Sequence, residues 1–174
     1  MCGIAGIFDL RQQREPDREL LAAMNQTDFH RGPDEGGLHT EPGVGLAHRR
    51  LSIIDLASGQ QPMFSADGNL GVSYNGEIYN FQELMQELRA LGYEFRTHCD
   101  TEVILYAWQA WGAACVKRFR GMFAFGLYDR AARSLFLARD RFGIKPLFYS
   151  VLPDGQLVFG SELKVLKAHP QLSR

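Results

Sequence analysis

The sequence predicts an α+β fold, and three observations carry that reading. Short β-branched and aromatic runs follow one another through tight turns, as antiparallel strands do. The helical patterns come as inserted blocks, not in regular alternation with strands. Two of those helices have wide apolar faces, which need a sheet each or one sheet with two faces to cover them. The pattern fits a layered sandwich with helices outside two sheets.

The elements follow in order. Residues 2–9 (CGIAGIFD) are short, apolar and partly β-branched, which predicts a strand. Pro16 and Asp17 open a helix whose apolar residues are Leu20, Leu21 and Met24. Residues 30–45 (HRGPDEGGLHTEPGVG) read as a Gly/Pro-rich loop, a place where chemistry often lives. Residues 46–54 and 70–79 read as strand-rich, the second interrupted at Asn75-Gly76.

Asn80 starts the next helix, with Glu83 completing a capping-box-like pair. Phe81, Leu84, Met85, Leu88 and Leu91 mark one face, and Gly92 supplies a left-handed stop. A further helix follows Asp100, with Val103, Ile104, Ala107, Trp108 and Trp111 on one side and Gly112 at its end. Strands are expected near 122–128, 134–139, 147–152 and 156–159, with Pro153-Asp154-Gly155 as one of the turns between them.

At 174 residues the chain fits one domain with a real core. A net charge of -1 gives no reason to expect nucleic acid or an anionic membrane as partner. No apolar run approaches the ~18 residues of a membrane helix, and no signal-peptide pattern opens the chain. Cys2, Cys99 and Cys115 are too few and too scattered for a disulfide framework, so the chain reads as reduced, soluble and cytoplasmic. No Cys/His spacing suggests zinc, and no P-loop pattern suggests ATP phosphates.

Cys2 is the residue to explain. With Met1 removed, its thiol shares a residue with a free α-amino group. A free thiol titrates near ~8.5 and an α-amino group near ~7.7–8.0. The amine can then take the thiol proton, so one residue carries nucleophile and base. Alone, a Cys at position two reads more readily as a small buried residue that begins a strand.

The surrounding segments change that reading. MCGIAGIFD, HRGPDEGG, LAHRRLSIIDL, YNGEIYNF, CDTEVI, FRGMFAFGLYD, RDRFGIKPLFY and FGSELKVL stand in that order along the chain. Together they resemble the class II glutamine amidotransferases, and within them the glutaminase domain of glutamine-hydrolysing asparagine synthetases. The resemblance covers essentially the whole chain, 1–174. It implies the four-layer αββα sandwich of N-terminal nucleophile hydrolases. It also implies hydrolysis of glutamine to glutamate and ammonia through a Cys2 thioester, with no metal or cofactor in this domain. The ammonia acceptor in such enzymes is a synthetase domain that activates aspartate with ATP and Mg²⁺; that domain is absent from this chain. Enzymes of the same type with other acceptors, and a non-catalytic glutamine-binding module that keeps Met1, are the alternatives.

The resemblance also implies a site. Arg50 matches the residue that grips the glutamine carboxylate, where a guanidinium offers two parallel hydrogen bonds; Arg49 reads as a solvated neighbour. The backbone around Leu51, Ser52, Ile53 and Ile54 lines the pocket. Asn75 and Gly76 match an oxyanion hole, although Asn-Gly is also the commonest hairpin signal and local sequence favours the turn. Glu77 matches a glutamine contact and Asp100 the ammonium ligand, although Asp100 also looks like a helix N-cap. His30, Arg31 and Asp34 read as loop-ordering residues. Cys99 stands where a small hydroxyl residue is expected, and Cys115 reads as core.

Overall fold

The computed structural model describes residues 1–51 and 59–172. In chain order its elements are β1 (Gly3–Asp9), α1 (Arg18–Thr27), β2 (Glu35–Glu41), β3 (Val44–Arg50), β4 (Met63–Phe64), β5 (Leu70–Ile78), α2 (Phe81–Ala90), α3 (Asp100–Trp111), β6 (Gly121–Asp129), β7 (Ser134–Arg139), β8 (Phe148–Val151), β9 (Gln156–Gly160) and α4 (Leu163–Lys167). Two antiparallel sheets form, ordered β2-β3-β1-β9-β8 and β4-β5-β6-β7.

Strand alternation makes the layers. In β1, Ala5 and Ile7 join a core with Leu21, Met24, Val165 and Leu166 of α1 and α4. Ile4 and Phe8 point the other way, into a second core with Val44, Leu46, Ala124, Tyr128 and Phe159 between the two sheets. A third core joins Val72, Tyr74, Phe123 and Phe125 of the second sheet to Leu84, Leu88, Val103 and Ile104 of α2 and α3. Three apolar interlayers separate four layers: α1/α4, sheet, sheet, α2/α3. Each such buried Leu, Ile or Phe contributes about 1.5–3 kcal/mol. Phe159 sits between Gly6 and Gly126, where a Cβ on either would strike its ring. Among the described residues no helix is long and apolar enough to cross a membrane.

Five local expectations are corrected. The segment 30–45 is not one loop: β2 occupies Glu35–Glu41 and β3 starts at Val44. Gly37 reflects crowding, since a Cβ on it would run into the Gln61 carbonyl, whereas Gly43 takes a left-handed φ of 94° between the two strands. The Asn75-Gly76 pair makes no turn: β5 runs unbroken from Leu70 to Ile78, paired with β6 throughout. Asn80 precedes α2 without capping it. Its side chain accepts from the Arg120 N–H and donates to the Arg118 carbonyl, tying α2 to the approach of β6, so no capping box forms. Asp100 is the first residue of α3 and Cys99 is its N-cap residue. Leu91, expected on the apolar face, is the C-cap of α2 and exposed, whereas Gly92 does take a left-handed φ of 94°. The short β4 had no sequence signal, being two residues long.

His48 ties the sheets together at depth. Its Nε2 lies 3.0 Å from the Tyr74 carbonyl, and burial pushes its pKa down to about 3. In the unfolded chain it titrates near ~6.5. A lowered imidazole pKa means the folded state resists protonation, so this contribution is intact above ~6.5 and is lost as pH falls from there toward 3. Each pH unit in that window costs about 1.4 kcal/mol. Urea unfolding at pH 7, 6, 5 and 4 should show a decline that His48→Gln flattens. Parallel declines in both proteins would assign the acid sensitivity to other groups.

Candidate functional site

The site lies at one end of the inter-sheet layer. Cys2 precedes β1, and alternation from Ile4 carries its side chain to the face that meets the second sheet. It lines a cavity of about 290 Å³ together with Arg50, Leu51, Tyr74, Asn75, Gly76, Glu77 and Asp100. That is near the lower end of small-molecule pockets, roughly 300–1,000 Å³. Met1 lines it too. The Cys2 Sγ points at the Leu51 carbonyl, 3.8 Å away, and the Cys2 carbonyl accepts from Arg31 Nε at 3.0 Å.

The register of β5 explains the next group. The bonds from the Tyr79 N–H to the Arg120 carbonyl and from the Arg130 N–H to the Asn69 carbonyl show that odd-numbered residues of this strand bond to β6. Even-numbered residues therefore direct their N–H groups to the opposite edge, where β4 covers only Gly71 and Val72. On that edge the Tyr74 N–H donates to Gln61 Oε1 at 2.6 Å, and the Ile78 N–H to Asp100 Oδ2 at 3.0 Å. Between them the Gly76 N–H faces the cavity. Only glycine fits there, because a Cβ would meet the Met122 carbonyl, the Phe123 Cα and the Tyr74 ring. The Asn75 side chain turns to the inter-sheet face. It is 1% exposed, and its Nδ2 has no hydrogen-bond partner among the described residues.

Two charged poles complete the cavity. Alternation along β3 sends Arg49 toward α1, where it bonds Gln26 and lies over the Phe29 ring, and sends Arg50 the other way, onto the cavity. The buried Arg50 guanidinium pairs with Glu35 at 3.0 Å. At the other pole Asp100 Oδ2 accepts from the Tyr74 hydroxyl at 2.6 Å as well as from Ile78. Burial raises the Asp100 pKa, and the nearby Glu77 carboxylate raises it further despite those two bonds. A cation arriving there relieves both effects.

The structure thus brings Cys2, Arg50, Leu51, Asn75, Gly76, Glu77 and Asp100 around one cavity. Ser52, Ile53 and Ile54 lie outside the described residues. His30 lies elsewhere, paired with Glu162, and the Asp34 N–H donates to the Arg50 carbonyl. Cys99 is buried at the cavity wall, 3.0 Å from Thr97 Oγ1. Cys115 is core, its thiol pushed up to about 11 by burial.

Sequence reasoning missed Gln61, Tyr74, Met122 and Lys145, which also line the cavity. Tyr74 carried a signal, since a buried phenol hydroxyl needs a partner and Asp100 is a natural acceptor. Lys145 stood in a quoted motif without a role. It is 6% exposed, and Asp140 fixes its loop by accepting the N–H groups of Phe123, Phe142, Ile144 and Lys145. Gln61 and Met122 carried none.

Comparison with known proteins gives the family. A family profile described as "Glutamine amidotransferase domain" matches residues 1–174. The chain is 43% identical over 176 residues to "Asparagine synthetase [glutamine-hydrolyzing] 2" of Bacillus subtilis, which covers 100% of this chain and 23% of that protein. It is 39% identical over 166 residues to "Asparagine synthetase B [glutamine-hydrolyzing]" of Escherichia coli, covering 95% of this chain and 30% of that one. The chain therefore spans less than a third of the length of these relatives. Among solved structures, the glutamine phosphoribosylpyrophosphate amidotransferase of B. subtilis, complexed with ADP and GMP, superposes with a TM-score of 0.75. At 20% identity, over 95% of this chain and 43% of that one, the likeness shows a shared fold. By the match along its full length and its identity to these relatives, the chain belongs to the glutamine amidotransferase domain family.

Proposed function

We propose that this chain hydrolyses glutamine to glutamate and ammonia at the Cys2 cavity. The observation that carries the reading is the placing of a thiol and a buried, unpartnered amide donor in one cavity with a guanidinium and a buried carboxylate at its wall. Glutamine is the matching ligand: its carboxylate suits Arg50, its ammonium suits Asp100 and Glu77, and its side-chain amide then reaches Cys2. While Met1 is attached, the Cys2 nitrogen is an amide and no base. Once Met1 is removed, the α-amino group takes the thiol proton and the sulfur adds to the amide carbon. The Asn75 Nδ2 and the Gly76 N–H hold the resulting oxyanion. Collapse expels ammonia with a proton from the α-ammonium and leaves a glutamyl thioester. Water adds to the thioester by the same route and releases glutamate and the thiol.

The relatives point to the acceptor. They are named glutamine-hydrolysing asparagine synthetases, and this chain corresponds to less than a third of them. The whole of 1–174 is then one glutaminase domain. Its ammonia passes to a separate synthetase part that amidates aspartate with ATP and Mg²⁺.

The test is glutamate and ammonia release by Met1-free chain, with and without ATP, Mg²⁺ and aspartate. Release that ignores all three additions is expected, with no asparagine formed. ATP-dependent asparagine formation by this chain alone would refute the division of labour. No release from a verified Met1-free sample would refute the hydrolase.

The carboxylate pole has its own test. Arg50→Lys keeps the charge and loses the planar fork. Glutamine binding should weaken by about 1.5–3 kcal/mol, read as a KM raised tenfold or more with kcat little changed. Arg49→Lys, altering a residue turned toward α1, should leave KM within about twofold. A reversed order of severity would mean that Arg49 holds the substrate.

A further inference from the structure

Away from the glutamine cavity, on the helix face of the first sheet, a second cluster of polar groups gathers around Asp28. Asp28 caps the C-terminus of α1, where the helix dipole disfavours a negative charge. It is 1% exposed, and neither carboxylate oxygen has a hydrogen-bond partner among the described residues. Its carboxyl packs against the Cα of Gly3, so closely that a Cβ on Gly3 would stand 2.8 Å from Oδ2. Nothing in the glutaminase chemistry uses this group. Burying an unpartnered carboxylate is costly, and the cost disappears if a cation binds there.

The other ligands of such a cation are in place. His30 and Glu162 offer a ring nitrogen and a carboxylate oxygen, and with Asp28 these ligand atoms all lie within 4.8 Å of one another. His30 Nε2 is already 3.1 Å from Glu162 Oε1. Around a tetrahedral ion with bonds near 2.1 Å, ligand atoms stand about 3.4 Å apart. The two partly exposed side chains, His30 and Glu162, close the remaining distance by small rotations. Lys164 now reaches into the same space, 3.2 Å from Glu162 and 3.0 Å from His30 Nδ1. It is 45% exposed and free to swing out. Arg31 stays on Glu162 at 2.9 Å and donates from its Nε to the Cys2 carbonyl, so the cluster abuts the residue that carries the thiol, just ahead of β1.

We propose that Asp28, His30 and Glu162 form a binding site for a divalent transition-metal ion of the Zn²⁺ class. Two carboxylates and one imidazole suit such an ion better than Mg²⁺ or Ca²⁺, which take oxygen ligands. The Arg31 Nη2 is buried and unpartnered, and the Arg31 charge acts on the Asp28 carboxylate, which marks the competing account, a single water bridging the two.

The experiment is a Co²⁺ titration of the full chain, followed by visible d–d absorption. One ion per chain is expected, without the near-ultraviolet thiolate band that ligation by Cys2 or Cys99 would add. Asp28→Leu and His30→Ala should each weaken binding at least ~10-fold. His30→Ala changes an exposed residue and keeps the test valid should Asp28→Leu misfold. Lys164→Ala, which removes the competing ammonium, should tighten binding about threefold. The proposal is overturned by no binding at millimolar Co²⁺, by a thiolate band, or by affinity unchanged in both Asp28→Leu and His30→Ala. A Zn²⁺-soaked crystal showing only water between Asp28 and Arg31 overturns it equally.

Discussion

Cys2→Ala should lower kcat/KM for glutamine by at least ~10³-fold, because the thioester path has no substitute nucleophile. Stability should change by no more than ~0.5 kcal/mol. The thiol is half-buried and its described bond is one weak contact to the Leu51 carbonyl at 3.8 Å. Circular dichroism and urea unfolding of the variant should therefore match wild type while glutamate release disappears. The other cysteines do not compensate: burial keeps the Cys115 thiol protonated, and Cys99 lies buried against Thr97. An electrophilic glutamine analogue should label the Cys2 sulfur, and only in chains that have lost Met1. Residual turnover above a tenth of wild type, or labelling of Cys99 with Cys2 untouched, would place the chemistry elsewhere.

The site was legible where chemistry and strand alternation agree. Arg50 and Arg49 look equivalent as letters, and resemblance chose between them; the structure shows α1 on one side of β3 and the cavity on the other. Asn75-Gly76 does line the cavity, as expected, but misled as structure. Asn-Gly signals a turn because both residues tolerate positive φ. Here the glycine serves close packing against β6, and the asparagine sits mid-strand with its side chain turned inward. Gly36 and Gly37 misled in the same way, since glycine density signals a loop unless neighbours fill the space, here the Arg49 side chain at Gly36 and the Gln61 backbone at Gly37. Asp100 looked like a cap because Asp at a helix start usually caps; its carboxylate turns back to Tyr74 and Ile78. Gln61 and Lys145 were illegible because tertiary contact alone brings them to the cavity. The layers, by contrast, were readable from period-2 and period-3.6 patterns, because those patterns are the layers.

Asn75→Ala should lower kcat by ~10²–10³ while KM for glutamine stays within a few-fold, because the amide donor acts on an oxygen that becomes charged only during the reaction. Its effect on the fold should run the other way. In the unliganded protein the Asn75 Nδ2 is a buried donor without a partner among the described residues. Leaving such a group unmade costs about 1–3 kcal/mol. Part of that cost is recovered when the amide is removed, offset by the small cavity that alanine leaves. Equal or slightly higher stability with a collapsed kcat is thus the expected signature. Gly76 offers no such separation: Gly76→Ala would drive a methyl into the Met122 carbonyl and the Tyr74 ring, and activity and fold would fail together. Arg50→Lys supplies the opposite kinetic control, raising KM and sparing kcat. A fall in kcat of less than ~10-fold for Asn75→Ala, or stability lost in proportion to activity, would remove Asn75 from the oxyanion and make it a structural residue of β5.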